Sequence, residues 1–148
     1  MSFQERRAIV SLISTILISA LYSAYMFQRY PEGNSYSADV FRFWGVFFLI
    51  LIPVSIVAKI VIHIVFSIIN TIATREAEPA ITDERDHLIE LKATRNALYT
   101  FAMGFLLAMS SLVMDMPPSA MFIILICTGV VSEIVSEISQ FYFYRSGV

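Results

Sequence analysis

Charge is absent from long stretches of this chain and gathered between them. Residues 8–28 hold no Asp, Glu, Lys or Arg, and at about 1.5 Å per residue a helix of that length crosses a hydrocarbon core of about 30 Å. A second apolar run, 43–72, is broken by Lys59 and His63 and carries Pro53, which predicts a bend. It is longer than a span needs, so tilt or protrusion is expected. Runs 96–114 and 119–144 are separated by a few residues that include Pro117 and Pro118, one ending a helix and the next starting another. That pair reads as a tight helical hairpin. The polar stretch from Tyr30 to Ser37 holds Pro31 and Gly33 and reads as a loop, and its flanking tyrosines and Trp44 suit a membrane interface.

Ahead of the third run, Thr82 follows Pro79 as an N-cap, Asp83 and Glu84 suit a first helical turn, and neither Gly nor Pro recurs before Gly104. The third helix is therefore predicted to start near Asp83, with 82–96 standing beyond the bilayer as a helical extension. No internal repeat is visible, and 1–148 reads as one membrane domain. The expected fold is all-α and polytopic: four transmembrane helices in a bundle, the third extended into the cytosol.

Composition agrees. Of 148 residues, 57% are apolar and 15% charged, against roughly 45–50% and 25% in soluble domains. Mean hydropathy is +0.73. This excludes a disordered or collagen-like chain. A net charge of -2 without a basic cluster excludes a nucleic-acid partner. The single cysteine, Cys127, excludes an intramolecular disulfide, a CxxC redox pair and a cysteine-based zinc site.

Lys and Arg set an expected orientation. Arg6, Arg7, Arg75, Arg85, Lys92, Arg95 and Arg145 fall on one side, and only Arg29 and Arg42 on the other. Positive residues stay inside, so both termini and the 2–3 connection are predicted to be cytoplasmic, in a prokaryotic inner membrane. The first run exceeds a usual signal-peptide core and no A-x-A site follows it, so it is expected to remain as a span.

Polar residues inside the runs carry the candidate chemistry. Ser11, Thr15, Ser19 and Ser23 recur every four residues in the first run, as do Asn96, Thr100, Gly104 and Ala108 in the third; such seams let helices pack closely. Glu133 and Glu137 stand one turn apart in the fourth run, with Ser136, Gln140 and Tyr144 on the same face. A carboxylate at the bilayer centre costs about 2.5–3.5 kcal/mol on insertion scales, so it must face protein or water. Counting residues inward places Lys59 at their depth and His63 slightly nearer the cytoplasm. One reading is a buried ion pair that locks the helices. The sharper reading is a proton- or cation-responsive site of Glu133, Glu137 and His63. The other histidine, His87, lies in the extension, which argues against haem held by two histidines of one chain.

On a helix over 83–97, Asp83, Asp86, His87 and Glu90 share one face, while Arg85, Lys92 and Arg95 gather on the other side. Like charges four apart weaken a helix, so compensation is expected from a cation, from basic residues of the 2–3 loop or from a second protomer. A second protomer could present its basic face to this acidic one, which predicts a homo-oligomer. Glu84 and His87 form one ExxH, half of the pattern that a di-iron bundle needs, so no metal and no cofactor is expected.

The run from Asp83 to Arg95 resembles the DERD-x-x-I-E-x-K-A-x-R signature of small prokaryotic multi-helix membrane proteins. The resemblance implies a four-span layout and supplies no activity, since none is established for that group.

No Ser/His/Asp spacing, HExxH or P-loop is present, so an enzyme is not expected. The first helix lacks the glutamate of a small multidrug exporter, and paired cysteines for a thiol oxidase are missing. Two expectations stand. One is a non-enzymatic oligomeric scaffold or regulator in the lipid bilayer, engaging a cytosolic or membrane protein partner through the 82–97 helix. The other is a small ion- or proton-coupled transporter or channel using Glu133, Glu137, Lys59 and His63.

Overall fold

A computed structural model describes residues 3–74 and 84–146. Four helices follow one another: α1 (Phe3–Phe27), α2 (Ala38–Thr74), α3 (Glu84–Val113) and α4 (Pro118–Ser146). No strand occurs among the described residues. Each helix is long and apolar enough to cross a membrane.

The helices begin before the apolar runs do, because backbone hydrogen bonding continues past the hydrocarbon boundary. Ser37 caps α2, its hydroxyl accepting from the Val40 N–H at 3.4 Å. Asp39 follows in the first turn, where the helix dipole favours an acid. α2 then runs unbroken through Pro53 for 37 residues, about 55 Å. The expected cap Thr82 lies outside the described residues.

Between α3 and α4 the chain reverses tightly. Asp115 takes a left-handed conformation with φ 57°. Its N–H reaches the Leu112 carbonyl at 3.3 Å and the Met116 N–H reaches Ser111 at 3.1 Å. That is a Schellman ending with aspartate in the place glycine usually takes. Pro118 opens α4, where a missing N–H is harmless.

Contacts are most extensive between α3 and α4, then α1 with α4, then α1 with α2. Small residues make the first close: Ala93, Gly104, Ala108 and Ser111 are buried on α3, and a Cβ at Gly104 would collide with Thr128 of α4. From α1, Ala8, Ser11, Ser14 and Thr15 are buried, whereas Ser19 and Ser23 are half-buried.

α2 and α1 run antiparallel in one register, Phe3 meeting Phe66, Tyr22 meeting Phe47 and Phe27 meeting Trp44. At the end holding the 28–37 loop and the α3–α4 hairpin, Met26, Val40, Trp44 and Phe47 form a buried core. Phe122 of α4 stacks on Trp44 with ring centroids 5.4 Å apart. Trp44 is thus fully enclosed, not the interface residue that its position at the start of an apolar run suggests. The helix that carries it begins a turn and a half earlier, so its ring is turned into the protein.

Candidate functional site

In the half of the molecule nearer the termini, three helices each contribute two polar residues spaced by one turn. α1 carries Arg7 and Ser11, α2 carries Lys59 and His63, and α4 carries Glu133 and Glu137. Four-residue spacing puts each pair on one face of its helix. The α1–α2 register sets Ser11 level with Lys59, and Arg7 level with His63.

Lys59 Nζ lies 3.3 Å from Glu133 Oε1 and 3.8 Å from Glu137 Oε1. The Ser11 hydroxyl donates to Glu137 Oε1. Glu137 is the most enclosed, its side chain 12% exposed against 22% for Lys59 and 46% for Glu133. Two carboxylates about one ammonium leave an excess negative charge, and Arg7 lies close enough for its positive charge to act on Glu137. Charge is therefore balanced across three helices. In a low-dielectric medium such balance, with hydrogen bonds on the remaining lone pairs, is the condition under which ionised groups stay buried.

His63 sits one turn beyond Lys59, where it lines a cavity of about 300 Å³ between α1 and α2 with Arg7 and Ser67. Among the described residues no three His, Cys, Asp or Glu side chains gather to hold a metal ion.

The start of α3 differs from its sequence reading. Asp83 lies outside the described residues. α4 runs along one side of this segment, burying Ile89 and Ala93. The Asp86 carboxylate lies close enough to Tyr144 to act on its hydroxyl, and Lys92 Nζ stands 5.6 Å from the centroid of the Phe143 ring. The two-faced division is thus cut across by α4, which takes one acidic and one basic residue. A helix treated as standing alone could not show this. His87 and Glu90 stay outside, 4.0 Å apart and both well exposed. Arg85 and Arg95 are exposed too. Further along, Asn96 donates to Ser139 at 3.1 Å.

Arg7, Ser11, Ser67 and Tyr144 were not among the site residues expected. The signal for the first two was their spacing: Arg7 and Ser11 repeat the one-turn interval of Lys59 with His63 and of Glu133 with Glu137.

The chain matches no family model, no curated protein and no solved structure.

Proposed function

We propose that this is a non-enzymatic membrane scaffold or regulator, a homo-oligomer that engages a partner protein through the free face of α3's first turns. The observation that carries this reading is a pair of leucines in the wrong place for lipid. Leu88 and Leu91 are 57% and 65% exposed, yet they lie on the charged side of Arg95, beyond the apolar run. Glu84, His87 and Arg95 surround them on the same helical face. An apolar strip rimmed by charge outside the bilayer suits a protein partner.

The Lys59 ammonium beside both Glu133 and Glu137, with the Ser11 hydroxyl donating to Glu137, supports a closed arrangement over an ion path. On this reading the four helices form a bundle in a prokaryotic inner membrane, with both termini and the start of α3 in the cytoplasm. The resemblance of residues 83–95 to small prokaryotic membrane proteins supports it. Cysteine labelling should find Leu91→Cys accessible from the cytoplasm and Gly33→Cys from outside. Photocrosslinkers at 88 and 91 in native membranes should capture another polypeptide, while one at Ile123 should not. A monomer without adducts at 88 or 91 overturns the reading.

The 46% exposure of the Glu133 side chain favours a second reading, a small ion- or proton-coupled transporter or channel. Proton or cation flux in proteoliposomes that disappears in Glu133→Gln would establish it in place of the first.

A further inference from the structure

We propose that the free face of α3's first turns docks on the terminal turns of α2 in a second copy of this chain, so that copies join head to tail. On the reading that this α3 face docks a protein, its occupant is the neighbouring copy. Two exposed apolar strips, at one level on opposite sides of the molecule, carry the assignment.

The first strip is Leu88 and Leu91 of α3. The second lies on α2, where residues 60–74 hold no Asp, Glu, Lys or Arg. Ile64, Ile68 and Ile72 recur there every four residues, each more than half exposed. A rotation of about 100° per residue sets them about 140–220° round the helix from Lys59, on the side turned from α1 and α4. Phe66 packs on Phe3 in the first turn of α1, and α2 runs on for two more turns. Ile68 and Ile72 therefore stand past the level of Arg7, where the uncharged run of α1 has ended. Hydrocarbon that stops near Arg7 leaves them uncovered, and apolar side chains so placed mark a contact surface.

Register puts both strips at one depth. Lys59 meets Glu137, and Asn96 meets Ser139. Counting from these contacts, with α2 parallel to α4 and α3 antiparallel to both, sets Leu91 near the level of Ile64 and Leu88 near that of Ile68. Copies related by an axis normal to the membrane keep their depth, so a head-to-tail contact needs this match. The order of helix packing supplies the opposite sides. α3 packs most on α4, α4 on α1 and α1 on α2, which leaves α3 and α2 at the ends of a row. Leu88 and Leu91 point away from Ile89 and Ala93, the residues buried against α4.

Charge selects this pairing over its alternatives. Two α3 faces set together at one depth would bring Arg95 against Arg95, and two α2 faces set together would leave both leucines bare. The α2 strip has no charge to oppose Arg95 or His87. Only α2 against α3 covers both strips without a like-charge contact.

Coupling between mixed copies tests the contact, in full chains that carry Cys127→Ala and one new cysteine each, coexpressed and oxidised in isolated membranes. Leu88→Cys with Ile68→Cys should give about tenfold more covalent dimer than either variant alone, because cysteines bridge only when their Cα atoms lie within about 7 Å. Leu88→Cys with Val46→Cys, on the same side of α2 but at its loop end, should give none. Independently, Ile64→Gln/Ile68→Gln should turn the oligomer into monomer in native mass spectrometry while circular dichroism keeps its helix content. A folded double variant that stays assembled overturns the proposal. So does dimer from Leu88→Cys alone, which would assign α3 to a contact with itself. A photocrosslinker at 88 that captures a different protein, with no mixed dimer, overturns the contact between copies and leaves the α3 docking face standing. Capture of nothing at 88, with no mixed dimer, removes both.

Discussion

The two halves of this molecule are held together by different forces. Toward the loops, Trp44, Phe47 and Phe122 pack ring against ring, and Tyr22 and Tyr30 bond to the Phe47 carbonyl and the Ser119 hydroxyl at 2.8 Å. Toward the termini, α2 meets α4 through Lys59, whose ammonium lies 3.3 Å from Glu133 and 3.8 Å from Glu137. In a membrane the helices gain little from leaving lipid, so packing and polar contacts must supply the association. Ring packing tolerates small adjustments because its attraction is spread over many atoms. An ion pair does not, since removing one partner leaves the other charge buried alone. The aromatic half should therefore fail gradually on mutation and the polar half abruptly.

The largest loss is expected at the ion pair. Lys59→Met should cost about 3–5 kcal/mol in chemical unfolding in detergent. Adding Glu133→Gln and Glu137→Gln to it should recover most of the loss. Additive losses would remove the distinction between the halves.

Trp44→Ala should cost nearly as much, about 3–5 kcal/mol, since the ring is wholly enclosed. The comparison sharpens with Trp44→Phe, which should cost far less. Among the described residues the indole N–H has no hydrogen-bond partner, so phenylalanine forfeits only volume. Lys59 lies about 22 Å along α2 from Trp44, and the two losses should add.

Smaller effects belong to the α3–α4 contact common to both halves. Gly104→Ala should cost about 1–3 kcal/mol by pressing a Cβ onto Thr128, measured in the same unfolding assay. The smallest is the Asn96–Ser139 bond, whose coupling in a double-mutant cycle should be about 0.6 kcal/mol.

Much of this architecture is legible in the sequence because lipid imposes one rule, that charge stays out. Long apolar runs reveal the four helices, and two adjacent prolines reveal the hairpin. Helix starts are less legible, since a cap such as Ser37 acts on the backbone regardless of where the bilayer ends. Depth counting relates Lys59 to the two glutamates because position along a span is nearly a coordinate in space. The same counting says nothing of rotation, so it could not show that Trp44 turns inward onto Phe122 or that Ser11 turns toward Glu137. The approach of Asp86 to Tyr144 is hidden for another reason. It joins segments whose pairing depends on how far α4 continues past its apolar run, and the apolar pattern stops before that point.

The length of α2 has a mechanical meaning. Its loop-side end is clamped among rings, while Thr74 lies 27 residues beyond Phe47, about 40 Å away. A rotation of about 5° about that clamp carries the far end through roughly 3.5 Å and Lys59 through roughly 1.5 Å. The second displacement is enough to turn a 3.3 Å ion pair into a separation without direct contact. Because a helix longer than the bilayer can meet a change in local thickness by tilting, any such tilt of α2 would act on the Lys59 contacts.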